Sequence, residues 1–228
     1  DHLSDFLFPL SENDQNNLLK EKIHGKLIFL GDPLYDVFLE NQKKIKATLG
    51  KDQTKDSKKT ILLTLHRAEN VDNKRTLKNI FLALNKIESK TIIFPIHPRT
   101  KKMIEKFGLD KLIEGKSFKL TSPLGYFDML RALEQCEMVI TDSGGVQKEA
   151  FFAKRACVTL RKSTEWLDTV LLKVNILLDP ETDAINRLPM ICKNIEKTNN
   201  LFKQIKDKPY GDGRATEKIA KAIIGETQ

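Results

Sequence analysis

The sequence predicts an α/β fold in which helices cover both faces of a parallel β-sheet. Short apolar runs alternate with segments of helical periodicity, and the apolar runs are hydrophobic nearly throughout instead of at every second position. A strand that is buried on both faces needs such a continuous apolar sequence. The helix that follows each strand supplies the crossover connection that a parallel sheet requires.

The individual elements follow from these patterns. The predicted strands are 26–30, 60–65, 91–96, 117–121, 137–141, 156–160 and 175–178. The predicted helices lie near 34–48, 74–89, 99–107, 125–135, 145–153, 165–172, 181–205 and 214–225. The polar segment 51–60 is predicted to be a connector. The paired glycines of Tyr210-Gly211-Asp212-Gly213 predict an unusual turn, after which Asp212 is expected to start the last helix.

Composition excludes several functional classes. The chain has 228 residues, of which 40% are hydrophobic and 31% are charged, as is typical of an ordinary globular protein. It has no apolar run near the roughly 18 residues of a membrane span and no signal peptide, so no membrane partner is expected. Its net charge of +8 comes mainly from lysines interspersed with acids on predicted helices. Without a nucleic-acid-binding motif, this pattern predicts no nucleic-acid partner.

Cysteine and histidine spacing gives no sign of a metal site. Cys136, Cys157 and Cys192 lack the spacing of metal ligands, and no HExxH pattern occurs. The three cysteines are interpreted as reduced thiols of a cytoplasmic protein. No metal is predicted.

Polar residues that could bind a ligand follow five of the predicted strands. The carboxyl ends of parallel strands share one edge of a sheet, and open α/β sheets bind ligands at that edge. A single strand end with polar residues would be weak evidence for a binding site, whereas five such strand ends predict one. The segments are HRAEN (66–70), HPR (97–99), SPLGY (122–126), DSGG (142–145) and RKSTE (161–165).

The segment DSGG, which leads into a helix, is a candidate for binding phosphate. Gly144 and Gly145 let a ligand approach the backbone closely, and the free N–H groups of a helix start favour an anion. Ser143 can cap the helix or donate to a phosphate oxygen. Glu149, on the same helix, can accept from a ribose diol. The alternatives are a plain turn capped by Ser143 and a solvated Glu149.

The two histidine segments are further candidates. His66, with Arg67 beside it, can hold a diphosphate or move a proton, because imidazole titrates near neutral pH. Its alternative is a structural hydrogen bond. Glu69 is a secondary candidate that can instead pair with Arg67, and Asn70 is expected to cap the helix near 74. His97 is secondary too, because the proline after it predicts a helix start that His97 would cap.

The remaining strand ends contribute aromatic and charged candidates. Tyr126 can wall a base, whereas Phe127 is expected to point into the core. Arg161 can lie near a diphosphate, or it can form a surface ion pair with Glu165. Trp166 either covers the site or packs beneath it.

Together these segments resemble the C-terminal half of the non-hydrolysing UDP-N-acetylglucosamine 2-epimerases. The resemblance covers nearly the whole chain and rests on HRAEN, HPR, TDSGGVQKEA and LRKSTEW in this order and spacing, with YGDGRA near the end. The opening DHLSDFLFPLSENDQNNLLKE and Gly31-Asp32 resemble the stretch that joins the family's two domains. The sequence departs from the family at Leu167 and Asp168, where Pro and Glu are usual.

The resemblance implies a fold and a domain organisation. The fold is the C-terminal domain of a two-domain, glycosyltransferase-B-type protein, with a Rossmann-like, doubly wound parallel sheet. Residues 1–32 are then the interdomain segment and the start of the sheet region, and 33–206 are the UDP-binding domain. Residues 207–228 are a C-terminal helix that returns toward the N-terminal domain, which is missing from this sequence.

The resemblance also implies a reaction without a cofactor. UDP is eliminated from UDP-GlcNAc to give 2-acetamidoglucal and adds back on the changed face to give UDP-ManNAc. By resemblance, His66 is catalytic and contacts phosphate, Glu149 binds the ribose, and Arg161 lies on the phosphate side. The diphosphate loop is Ser143, Gly144 and Gly145. Arg67, Leu124 and Tyr126 complete the expected UDP-binding set, with Glu69, His97, Thr164 and Glu165 as secondary members.

The family's carboxylates for proton transfer at C2 belong to its N-terminal half. The chain alone is therefore predicted to bind UDP weakly and not to turn over. The implied partners are a UDP-sugar and the N-terminal domain. The resemblance is also compatible with a homodimer of the full-length protein. The open alternatives are an epimerase of a modified UDP-sugar, a hydrolysing epimerase, a donor-binding domain of a glycosyltransferase, and a non-catalytic nucleotide-sugar-binding module.

Overall fold

The computed structural model describes residues 1–48, 60–115, 117–206 and 208–226. Contacts divide the chain into two compact units, Ala47–Ile205 and the combination of Asp1–Lys46 with Lys206–Gln228. The predicted connector 51–60 lies outside the described residues, apart from its last residue.

The smaller unit contains a two-stranded parallel sheet. Its elements, numbered in chain order, are β1 (Phe6–Leu7), α1 (Glu12–Lys20), β2 (Lys26–Leu27), α2 (Pro33–Thr48) and α11 (Ala215–Glu226). The strand predicted at 26–30 is thus only two residues long. β1 and α1 were not predicted, because a two-residue strand and a mostly polar helix that buries no residue carry no apolar periodicity.

A close approach of two turns explains Gly31 and Gly211 of the smaller unit. Gly31, Gly211 and Gly213 have φ angles of 103°, 85° and 82°, which L side chains rarely adopt. The backbone N–H of Asp32 donates to the carbonyl of Tyr210 at 3.0 Å, which brings the two turns together. The predicted turn at Tyr210–Gly213 is therefore confirmed.

The last helix is capped from another part of the chain. The carboxylate of Asp36 accepts from the backbone N–H groups of Ala215 and Thr216, at 3.1 and 2.7 Å. Asp212, which was expected to start this helix, instead pairs with Lys218 at 2.9 Å.

The larger unit is built on a six-stranded parallel sheet. Its strands are β3 (Thr60–Thr64), β4 (Thr91–Pro95), β5 (Phe118–Thr121), β6 (Met138–Thr141), β7 (Ala156–Thr159) and β8 (Asn175–Leu177). Their spatial order, β5-β4-β3-β6-β7-β8, is the order of the Rossmann fold. The predicted α/β fold with a doubly wound parallel sheet is confirmed.

Helices connect these strands. They are α3 (Ala68–Val71), α4 (Lys74–Asn85), α5 (Pro98–Phe107), α6 (Tyr126–Gln135), α7 (Gly144–Phe152), α8 (Leu167–Leu171), α9 (Leu188–Lys193) and α10 (Ile195–Leu201), with short 3₁₀ turns at Asp110–Leu112 and Asp183–Arg187. The single helix predicted over 181–205 is wrong. Pro189 stands in the first turn of α9, and Asn194 ends α9 and begins α10.

Both faces of the sheet are covered. On β3, Ile61 and Leu63 belong to one core that also holds Phe81 of α4 and Ile195 of α10. Leu62, between them, is equally buried and, by strand alternation, points to the other face. On that face α6 contacts β3, and α7 contacts β6 and β7.

Two further properties of the described residues concern helix hydrophobicity and the cysteines. In the described ranges, no helix is long and apolar enough to cross a membrane. Cys136, Cys157 and Cys192 are free thiols, and burial raises the pKa of each to about 12.

Candidate functional site

The carboxyl ends of β3 and β6 lie side by side at the centre of the sheet. Thr64 of β3 pairs with Thr141 of β6, and their hydroxyls are 2.5 Å apart. HRAEN and DSGG begin directly beyond this pair. Chain connections leave β3 and β6 toward opposite sides of the sheet, and Rossmann folds bind ligands at such a point.

Asp142 joins three strand ends through its buried carboxylate. It accepts from the backbone N–H groups of His66 at 3.0 Å and Arg67 at 2.9 Å, and from the side-chain amide of Asn70 at 3.1 Å. The same amide donates to the carbonyl of Leu160, directly after β7, at 2.9 Å. The segments after β3, β6 and β7 therefore have a fixed arrangement.

Sequence reasoning missed the roles of Asp142 and Asn70. Asn70 does not cap α4; Asn73 does so by accepting from the backbone N–H groups of Arg75 and Thr76 at 2.9 and 3.1 Å. The only signal in the sequence was that both residues are polar and stand beside the proposed ligand-binding positions.

The His66 imidazole lies against Asp142. Its Nδ1 is 3.2 Å from Asp142 Oδ1, and the side chain is 40% exposed. The hydrogen bond to Asp142 raises the pKa of His66 above 6.5, partly offset by burial. His97 lies nearby, with 5.7 Å between the ring centroids. His97 also caps α5 through Nδ1, which accepts from Arg99 N at 3.2 Å, as its alternative interpretation predicted.

The start of α7 is open to a ligand. Ser143 is the N-cap residue, but its hydroxyl makes no capping bond. A Cβ added at the exposed Gly145 would meet nothing within 4 Å, so packing does not require glycine there. Because glycine costs a helix about 1 kcal/mol relative to alanine, a ligand that approaches the backbone closely would account for its presence.

Gly144 lies next to the loop that follows β7. A Cβ at Gly144 would collide with Glu165 Oε1. The other oxygen of Glu165 accepts from Arg161 Nη1 at 2.7 Å, and the Arg161 side chain is only 12% exposed. The ion-pair alternative for Arg161 and Glu165 is therefore confirmed, and the pair adjoins the first turn of α7.

Thr164 and Trp166 support this loop from within. Thr164 is buried, and its hydroxyl donates to Gln147 Oε1 at 2.7 Å. The half-buried Trp166 ring lies against Lys148, whose Nζ is 4.2 Å from the ring centroid. α8 begins at Leu167.

The other predicted residues lie around this centre. Glu69 lines a cavity of about 210 Å³ with Arg161 and Lys162. Leu124 and Tyr126 follow β5, which β4 separates from β3. Phe127 was expected in the core but is 54% exposed, with its ring against Tyr126.

No group of three or more His, Cys, Asp or Glu residues in the described ranges could hold a metal ion.

Glu149 is a largely buried carboxyl group on α7. Burial raises its pKa from 4.5 to about 7. Between these values the folded protein holds a proton that the unfolded chain has released, so stability falls as the pH rises through this window. The loss is on the order of 3 kcal/mol, from about 1.36 kcal/mol per pKa unit.

Glu149→Gln is therefore expected to remove most of this pH dependence. The variant should be more stable than the wild type at pH 8, with the difference shrinking toward pH 4.5. Urea unfolding between pH 4.5 and 8 measures this, with Glu105→Gln on the exposed part of α5 as a matched control. Parallel stability profiles for wild type and Glu149→Gln would contradict the burial of a titrating carboxyl.

Known proteins match this chain along nearly its whole length. Residues 1–224 match the family model described as UDP-N-acetylglucosamine 2-epimerase. The chain belongs to this family. A UDP-N-acetylglucosamine 2-epimerase homolog of Methanococcus maripaludis is 40% identical, over 98% of this chain and 61% of the relative. A Pseudomonas aeruginosa UDP-2,3-diacetamido-2,3-dideoxy-D-glucuronate 2-epimerase is 35% identical, over 98% of this chain and 60% of the relative.

A solved structure has the same fold. The UDP-GlcNAc 2-epimerase of Methanocaldococcus jannaschii, in complex with UDP-GlcNAc and UDP, matches with a TM-score of 0.82 and 37% identity. The match covers 99% of this chain and 62% of that chain. The chain thus has the fold of the glycosyltransferase-B-type epimerases and spans about three-fifths of the length of these relatives.

Proposed function

We propose that this chain is the UDP-binding part of a UDP-GlcNAc 2-epimerase. The observation that carries the proposal is the strand order, which brings HRAEN and DSGG together at the switch point of the sheet. The diphosphate lies at the start of α7, against Ser143, Gly144 and Gly145. Free N–H groups and a partial positive charge favour an anion there. The Methanocaldococcus jannaschii structure with UDP-GlcNAc and UDP supports this choice of ligand.

The side chains around α7 have distinct roles in this proposal. His66 contacts the phosphate and is catalytic, and Arg67 and Arg161 add positive charge. Glu149 accepts from the ribose hydroxyls; in the described part of the protein its carboxyl makes no side-chain hydrogen bond that would compete. Tyr126 and Leu124 flank the base, with Glu69 and His97 farther out.

The reaction we propose is elimination and re-addition of UDP. The C1–O bond breaks, its electron pair goes to the diphosphate, and the loss of the C2 proton gives 2-acetamidoglucal. Donors aimed at the developing charge lower the barrier, and one such donor is worth about 3 kcal/mol in comparable sites. Held in place, UDP adds back at a high effective concentration.

We further propose that the 228 residues alone bind UDP without turnover. In this proposal the groups that move the C2 proton come from the part of the relatives that the chain does not span. The larger protein would join these residues to an N-terminal domain, with the boundaries 1–32, 33–206 and 207–228 given above. It would act in the cytoplasm on a UDP-sugar, as a monomer or a homodimer.

A titration of the chain with UDP and UMP by calorimetry tests the proposed site. We expect UDP to bind more tightly than UMP, because only UDP carries the second phosphate that the α7 start and His66 would contact. Equal affinities for the two nucleotides would overturn the diphosphate site.

The sugar has a second candidate. The Pseudomonas aeruginosa relative is named as an epimerase of a diacetamido glucuronate. A protein containing these residues and the remaining two-fifths of the family's length should be supplied with each UDP-sugar. The substrate whose 2-epimer accumulates identifies the sugar.

The Arg161–Glu165 ion pair predicts competition with the ligand. The Glu165 carboxylate pairs with the Arg161 guanidinium beside the start of α7. A diphosphate that binds there therefore has to share Arg161 with this carboxylate or displace the carboxylate from it. Glu165→Gln should therefore raise UDP affinity several-fold, measured by calorimetry. Glu181→Gln, which removes the carboxylate that pairs with the exposed Lys162 at 2.6 Å, is the matched control. Weaker UDP binding by Glu165→Gln would mean that Glu165 supports the ligand instead.

A further inference from the structure

We propose that Asp142 is the positioning residue of His66: its buried carboxylate selects which imidazole nitrogen faces the ligand and, through its negative charge, favours the imidazolium. This inference rests on the proposed function, since the ligand in question is the diphosphate. It assigns a role to a residue that the motif-based prediction passed over.

The carboxylate is fixed on every side. The Asp142 side chain is fully buried, and its backbone and amide donors come from His66, Arg67 and Asn70. These bonds leave the carboxylate no freedom to turn away from the ring. The His66 backbone N–H and imidazole Nδ1 both lie within 3.2 Å of the same oxygen, Oδ1.

This contact determines the tautomer of His66. An ionised carboxylate only accepts hydrogen bonds, so Nδ1 carries the hydrogen. The opposite nitrogen, Nε2, then points away from Asp142. In the cation Nε2 donates to an anion, and in the neutral ring it accepts. The ring therefore presents Nε2 to a phosphate oxygen, and this atom changes from hydrogen-bond donor to acceptor when the imidazolium loses its proton.

A neighbouring positive charge opposes protonation of the ring. Arg67 is adjacent in the chain and disfavours the imidazolium, and His97 stacks obliquely at 5.7 Å. Asp142 is the acidic group in contact with the ring, and it tips the balance toward the cation. Holding the backbone N–H groups needs only an acceptor, which a neutral amide oxygen also provides. The negative charge of Asp142 is therefore needed to stabilise the imidazolium of His66.

His97 provides an internal reference. Its Nδ1 accepts from Arg99 N, so the hydrogen of the neutral ring lies on Nε2. His66 and His97 are therefore expected to have opposite tautomers, although both follow central strands of one sheet.

Nitrogen-15 NMR of the chain without nucleotide tests the inference. Signals of the histidines are assigned with His66→Gln and His97→Gln. In the wild type at high pH, we expect hydrogen on Nδ1 in His66 and on Nε2 in His97. In Asp142→Asn, the midpoint of the His66 titration should fall by about one pH unit, because an opposite charge within 4–6 Å typically shifts a pKa by at least that much.

Two results would overturn the inference. The first is hydrogen on Nε2 of neutral His66 in the wild type, which decides the matter even if Asp142→Asn does not fold. The second is an unchanged His66 titration in a folded Asp142→Asn. Neither depends on nucleotide, so they are distinct from the failure of UDP to bind.

A UDP titration then links Asp142 to the ligand. Because imidazolium favours the diphosphate, UDP affinity of the wild type should fall as the pH rises through the His66 midpoint. In Asp142→Asn this fall should begin about one pH unit lower. An identical pH profile for the two proteins would show that Asp142 acts only in the fold.

Discussion

Ser143→Asp is expected to weaken UDP binding by at least about 10-fold, or about 1.4 kcal/mol, and to abolish the preference for UDP over UMP. Ser143 is the N-cap of α7, where an aspartate side chain can accept from the first turn. The new carboxylate would satisfy the N–H groups and the positive charge that the diphosphate would otherwise use. Calorimetry with UDP and UMP measures both effects.

Two variants distinguish the effect of an added negative charge from the effect of added side-chain volume. Ser89→Asp adds the same charge at an exposed serine before β4, at the opposite edge of the sheet, and should leave UDP binding nearly unchanged. Gly145→Ala should weaken UDP binding while stabilising the protein by up to about 1 kcal/mol, since a Cβ there meets only open space. An unaltered UDP affinity in Ser143→Asp would rule out the α7 start as the diphosphate site.

Asn70→Ala is expected to destabilise the protein by about 3 kcal/mol. Its buried amide donates to the Asp142 carboxylate and to the Leu160 carbonyl. Leaving a buried acceptor unsatisfied costs about 1–3 kcal/mol, and more when the acceptor is charged. The variant should also loosen the segment that carries His66. Urea unfolding gives the change in the free energy of unfolding.

Asn73→Ala is the matched control for Asn70. Asn73 stands three residues later and caps α4 at the surface, where a lost cap typically costs about 1 kcal/mol. If Asn70→Ala costs no more than Asn73→Ala, the amide of Asn70 does not hold the three strand ends together.

The sequence predicted the parts of the fold whose signal is local. β3, β4, β6 and β7 were found almost to the residue, because each is an apolar run that both faces of the sheet bury. Helix α7 and its glycines were found for a similar reason: a strand, a turn and a helix follow one another within 15 residues. Where the local signal was weak, as for polar α1, or misleading, as for the helix broken at Asn194, the prediction failed.

The residues of the candidate site also divide into those with a local sequence signal and those without one. Ser143, Gly144, Gly145 and His66 could be predicted as candidates because their residue types suit phosphate and their positions follow strands. The prediction that Phe127 lies in the core was wrong, because its sequence neighbours do not reveal that its ring faces solvent. The hydrogen bond from Thr164 to the buried Gln147 was equally absent from any local signal.

By itself, the sequence determined that this protein has an α/β sheet and placed residue types that suit phosphate at its strand ends, since hydrophobic periodicity and helix-start chemistry act over a few neighbouring residues. Only the tertiary structure decided that β3 lies beside β6, and therefore that Asp142 meets His66, 76 positions earlier in the chain. Contacts over such separations depend on the order and register of strands. Those are set by the packing of the whole sheet against its helices, and no local segment encodes them.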